Sequence, residues 1–238
     1  MLDYLNPRNI LFLDIETVPQ FPKHDAMPAH LSTLWDKKSS AFKTEPPEPP
    51  EISYRRAGIY AEFGKIICIS CGAFADGNSF RIKSFYGDDE KELLKEFSDL
   101  LNKSFNTPDK LLCAHNGKEF DFPFICRRLL INRLPLPTIL NIAGRKPWEV
   151  GLLDTMELWK FGDFKSYTSL QLLCAALDVP TPKDDIDGSQ VWKVYWEEKN
   201  IDRIVRYCCK DVLTVAQIFR RYRGEELIRE ELVEIVQD

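Results

Sequence analysis

The stretch Phe12-Leu13-Asp14-Ile15-Glu16-Thr17 decides how this chain is read. It closes an apolar run from Ile10 to Ile15, and such a run reads as a strand buried on both faces. In a strand, residues i and i+2 share a face, so Asp14 and Glu16 point the same way. Two like charges at the end of a buried strand repel unless something positive sits between them. A divalent cation bound by oxygen ligands meets that need. The alternative is a strand that runs into solvent at Asp14, with both acids hydrated. The hexapeptide alone leaves the two readings level.

Downstream of this strand, residues 19–56 form a charged, Pro-rich insertion that includes FPKHDAMPAH and TEPPEPPE. Its Pro-rich part reads as an extended excursion over the surface, with a short helix within residues 31–42. KIICISCGAF at 65–74 reads as a strand. Asp76-Gly77 then signals a hairpin, and FRIKSFY at 80–86 is the returning strand. Leu93, Leu94, Phe97, Leu100 and Leu101 mark a helix over 88–103, with Asp89 and Glu92 resembling a capping box. LLCAH at 111–115 is a short strand, and Asn116-Gly117 turns the chain.

A helix follows over about 120–132, since Pro123 is tolerated only in a first turn. Asp121 therefore enters a helix N-terminus, where the helix dipole alone would favour an acid. His115 reads as a packed polar residue rather than a ligand. Further on come a strand at 150–154 and helices over about 169–177, 189–199 and 201–223. Ile204, Cys208, Val212, Val215 and Phe219 form the buried stripe of the last helix, and Gly224 can end it. Tyr207 and Asp211 meet at i, i+4 on an adjoining stripe. The tail, 225–238, is expected to be one more short helix. The expectation is a single α/β domain over 1–238, built on a mixed five-stranded sheet with helices on both sides.

Composition narrows the function. With 238 residues and 44% hydrophobic content the chain has ample core material. A formal net charge of −5 argues against a protein that coats duplex DNA, because that affinity comes from many Lys and Arg on phosphates. An enzyme gripping a few nucleotides through a metal remains open. No signal peptide and no apolar run long enough for a membrane span are visible, and seven cysteines in mostly apolar segments suit a reducing, cytoplasmic setting. Cys68 and Cys71 would face opposite ways in a strand and lack a second pair to complete a zinc site. Lys183 to Gly188 fails the EF-hand pattern at both ends.

Each acid has a bland explanation alone. Together they resemble the DEDD superfamily of 3′→5′ exonucleases, which has the ribonuclease H-like fold. DIE at 14–16 matches the first motif. His115-Asn116-Gly117-Lys118-Glu119-Phe120-Asp121-Phe122-Pro123-Phe124 matches the second, in the form most similar to the proofreading domains of family-B DNA polymerases. Tyr207-Cys208-Cys209-Lys210-Asp211 matches the third, and its tyrosine marks the DEDDy branch.

The resemblance implies a metal-dependent exonuclease with two divalent cations, Mg²⁺ or Mn²⁺. It would release nucleoside 5′-monophosphates from a single-stranded 3′ end, with DNA ranked ahead of RNA. Asp14 would serve both ions, Glu16 and Asp211 the one that activates water, and Asp121 the other. Tyr207 would orient the attacking water, Asn116 would touch the terminal nucleotides, and Lys183 would contact a phosphate. Phe120 and Phe124 are candidates to stack on bases, with at least one of them expected in the core. The length leaves no room for a polymerase domain, so a free-standing exonuclease is expected; a polymerase partner is left unknown. The competing reading is a silent nucleic-acid-binding module. Such modules usually lose a ligand, whereas all four acids and the tyrosine are present here.

Overall fold

The computed structural model describes residues 1–76, 79–163, 167–181 and 185–236. Strand β1 spans Ile10–Pro19. Helices α1 (Ala29–Ser39) and α2 (Pro50–Ser53) follow, then a 3-10 turn over Tyr54–Ile59. The hairpin strands are β2 (Gly64–Phe74) and β3 (Phe80–Tyr86). Next come α3 (Glu90–Ser104), β4 (Leu111–Ala114) and α4 (Asp121–Ile131). The chain continues through β5 (Leu152–Asp154), α5 (Thr155–Lys160), α6 (Leu170–Ala176), α7 (Val191–Trp196) and α8 (Ile201–Tyr222). It closes on β6 (Val233–Val236).

The six strands lie in the order β5-β4-β1-β2-β3-β6. β1 runs antiparallel to β2 and parallel to β4, so the sheet is mixed. Alternation along β1 splits the core into two layers. Leu11, Leu13 and Ile15 pack with Leu94, Phe97, Phe122 and Ile125 of α3 and α4. Ile10 and Phe12 pack on the other face with Val212, Val215 and Phe219 of α8. Asp14 and Glu16 continue the second stripe, so the register of β1 carries both acids toward α8. Cys68 and Cys71 bury on opposite faces of β2, as their spacing requires.

The sheet has one strand more than expected, and it comes from the tail. Residues 225–236 do not form the expected helix: a 3-10 turn at Glu230–Leu232 leads into β6. The reason is the open edge of β3. Val233 and Ile235 alternate with Glu234, which suits a strand, and Phe80, Arg81 and Ile82 take these three as parallel partners. Arg81 Nε donates to Glu234 Oε2 at 2.7 Å across that pair.

The insertion also departs from expectation. It does not trail over the surface but folds around Trp35, which is fully buried. The rings of Phe42, Tyr54, Tyr60 and Phe63 meet Trp35 edge-on, at centroid distances of 5.8, 5.5, 5.9 and 5.2 Å. The Trp35 indole N–H donates to Pro50 O at 3.0 Å, so the Pro-rich segment wraps this ring. Gly58 then lies against β1: a Cβ there would sit 3.1 Å from Val18 Cα and carbonyl carbon. A side chain there would push the two backbones apart by a few tenths of an ångström.

Candidate active site

A cleft of about 780 Å³ opens along the C-terminal half of β1. Asp14 and Glu16 from β1, Asp121 from the start of α4, and Tyr207 and Asp211 from α8 all line it, together with Asn116 and Phe120. The candidate residues read from sequence are thus brought together, except Phe124, which is outside the cleft, and Lys183, which lies outside the described residues. Phe124 is core, 1% exposed, while the Phe120 ring touches it at 5.4 Å and still borders the cleft. His115 is a packed polar residue as expected, with Nδ1 on Thr155 Oγ1 at 2.9 Å and Nε2 on Thr168 O at 3.0 Å.

The acids are held rather than merely near. Asp121 Oδ1 accepts the Ile15 N–H at 3.2 Å, which ties the entry of α4 to the residue between the two β1 acids. The Cys208 thiol donates to Asp14 Oδ2 at 3.3 Å. Oxygens of Asp14 and Glu16 and the Cys208 sulfur all lie within 4.8 Å of one another. Tyr207 hydrogen bonds through its hydroxyl to the Asp211 carboxylate, one turn along α8.

Electrostatics follow from this crowding. Burial raises the Asp14 carboxyl well above its usual range, and the charges of Asp211, Glu16 and Asp121 push it further. Burial likewise raises Asp121 to about 7, with Asp154 and Asp211 adding to the shift. The Tyr207 hydroxyl is pushed upward by burial and then by Asp211, Glu16 and Asp14. Carboxylates so placed are strained in their charged form unless cations join them. Hard oxygen donors converging from three elements fit a divalent cation.

Residues not singled out in the sequence complete the site. Asp154, 3% exposed, accepts N–H groups from Asn116 at 3.0 Å and Lys118 at 3.1 Å, and from Met156 at 2.9 Å at the start of α5. It therefore fixes the loop that carries Asn116, whose φ of 61° is left-handed. Gly117 follows because a Cβ would lie 2.4 Å from that of Ala114. A signal for Asp154 was present: Asp154-x-x-Glu157 after an apolar run is an N-cap pattern. Arg55, Arg56, Tyr167 and Trp192 also line the cleft, and no sequence pattern marks them.

A mixed sheet with helices on both faces and carboxylates gathered beside its central strand defines a ribonuclease H-like α/β protein. The chain belongs to the family described as predicted 3′-5′ exonucleases related to the exonuclease domain of PolB, whose model matches residues 59–234. Its fold is similar to the family B DNA polymerase from the hyperthermophilic archaeon Pyrobaculum calidifontis, with a TM-score of 0.53 and 14% sequence identity. That similarity covers 90% of this chain and 24% of the polymerase, so the chain spans about a quarter of that protein. Among the described residues, no helix is long and apolar enough to cross a membrane.

Proposed function

We propose that the chain is a metal-dependent 3′→5′ exonuclease of the DEDDy type, acting on the 3′ end of single-stranded nucleic acid, with DNA as the preferred substrate. One observation carries the reading: Asp14, Glu16, Asp121, Asp211 and Tyr207, far apart in sequence, line one cleft. Family membership supports the reaction class, and the second motif supports the preference for DNA.

Asp14, Glu16, Asp121 and Asp211 would hold two divalent cations, Mg²⁺ or Mn²⁺, which supply the positive charge that phosphodiester hydrolysis needs at the attacking and leaving oxygens. The chain's own residues then set the geometry. Tyr207 presents its hydroxyl beside Asp211 and orients the water that attacks phosphorus. The bond between phosphorus and the 3′ oxygen breaks, that oxygen takes a proton, and the terminal residue leaves as a nucleoside 5′-monophosphate. Asn116 lines the cleft on the left-handed turn after β4 and is placed to meet the last nucleotides. Phe120, half-buried at the border of the cleft, is a candidate to stack on a base.

Asp14→Ala tests the assignment. It removes a ligand at the centre of the set and relieves carboxylate repulsion. Hydrolysis should be abolished while the metal-free protein melts at the same temperature or higher. Full activity in a rigorously purified Asp14→Ala protein would remove the acids from the mechanism.

A further inference from the structure

We propose that Arg55 and Arg56 grip backbone phosphates of the strand bound in the cleft. The inference rests on the exonuclease reading above and adds to it a part played by the insertion.

The first ground is charge. Four carboxylates against two dications leave the centre near neutral, so phosphates further along a strand need their own counter-charge. The whole molecule does not provide it, at a formal net charge of −5. Among the described residues that line the cleft, Arg55 and Arg56 are the ones charged positive at neutral pH. His115 lines it too, but burial lowers its pKa and keeps it neutral there.

The second ground is placement. Both arginines sit on the 3-10 turn between Tyr54 and Ala57, which are 2% and 0% exposed. The Tyr54 hydroxyl accepts the Phe21 N–H at 3.3 Å, and Gly58 presses on Val18, two residues beyond Glu16. The turn is therefore anchored to the strand that carries the acids. The arginine side chains stay open to solvent, at 51% and 44% exposure.

The third ground is unused capacity. Arg55 donates to Glu48 Oε1 at 3.3 Å, and Arg56 donates to Glu48 Oε2. One carboxylate thus serves two guanidiniums, which leaves a net positive charge. Each guanidinium has five N–H donors in a fork that matches phosphate, and Glu48 takes one from each. Arg56 also lies over the Phe42 ring, 5.3 Å from its centroid, which limits its freedom. In the same cleft, Tyr167 is 69% exposed and offers a stacking face. Cations for the backbone and open rings for the bases are what single strands require.

The test measures binding and turnover separately. The full chain is titrated with a short oligothymidylate whose 3′ linkages are phosphorothioates, with Ca²⁺ in place of Mg²⁺, across a series of NaCl concentrations. Arg55→Gln with Arg56→Gln should weaken binding roughly tenfold at low salt and lower the slope of log K against log salt by about 1.4, two charges at about 0.7 each. Arg55→Lys with Arg56→Lys should keep the wild-type slope. Hydrolysis of the p-nitrophenyl ester of thymidine 5′-monophosphate, which has no second backbone phosphate, should be unchanged in both. If the doubly neutralised protein melts early, the single variants carry the test, each lowering the slope by about 0.7. Unchanged affinity and slope in the glutamine variants overturn the grip. A wild type that binds this strand but, with Mg²⁺ or Mn²⁺, hydrolyses neither the ester nor an all-phosphate oligothymidylate overturns the exonuclease reading instead, and the salt slopes still judge the grip.

Discussion

Tyr207 is the residue whose role is most open to measurement. Its hydroxyl bonds to Asp211 at the base of the cleft, so removing it leaves all four carboxylates in place. Tyr207→Phe should keep strand affinity and melting temperature but slow single-turnover hydrolysis roughly 10- to 1000-fold, about one to four kcal/mol of barrier. A rate within about twofold of wild type, under one-half kcal/mol, would take the tyrosine out of the mechanism. The acids make a second prediction. Asp121 is raised to about 7 in the folded chain from an ordinary 3.8. A group whose folded pKa is raised contributes stability in full below the unfolded value and loses it as pH rises through the folded one. Asp14 is shifted in the same direction. In EDTA the melting temperature should therefore fall between about pH 4 and pH 7, less so in Asp121→Asn. Mg²⁺ or Mn²⁺ should reverse the fall at the upper end. An equal pH dependence in wild type and Asp121→Asn would contradict this account.

At the level of elements, the loop between β4 and α4 depends on Asp154 at the end of β5. Its carboxylate satisfies N–H groups of Asn116, Lys118, Met156 and Glu157. Asp154→Ala leaves these donors, one buried and three part-buried, without the carboxylate. It should cost about 2–4 kcal/mol in denaturant unfolding and reduce turnover by displacing Asn116. Stability within about 0.5 kcal/mol of wild type would mean that the loop holds itself. Asp154 also shows where the sequence was readable and where it was not. Strands and helices with a clear period, such as β3 at 80–86 and α8, were legible nearly to the residue, because burial on one face writes the pattern. The acids of the cleft were legible because they break that pattern at element ends. Asp154 breaks it too, at the end of the strand expected over 150–154, but its partners Asn116 and Lys118 lie 38 and 36 residues away and no local pattern points to them. β6 was hidden for another reason: Glu230 to Val236 carries the charges of a helix surface, and only the open edge of β3 makes it a strand.

Across the whole molecule, long-range placement was beyond the sequence. The composition of residues 19–56 suggested a loop, yet Trp35 gathers it into a satellite core that sets Arg55 and Arg56 beside β1. Such packing comes from aromatic residues without a regular period, so periodicity could not reveal it. The sheet, in contrast, follows from one strand. β1 lies in the middle, its odd residues under α3 and α4 and its even residues under α8, and this register delivers Asp14 and Glu16 to the helix that carries Tyr207 and Asp211. The central claim is that this convergence makes a 3′→5′ exonuclease. It is tested most directly by incubating single-stranded oligonucleotides, blocked at either the 3′ or the 5′ end, with Mg²⁺ or Mn²⁺ and resolving the products. The account predicts stepwise release of nucleoside 5′-monophosphates that a 3′ block stops, a 5′ block does not, and EDTA abolishes. Metal-independent hydrolysis, degradation that proceeds through a 3′ block, or internal cuts in a circular strand would contradict it.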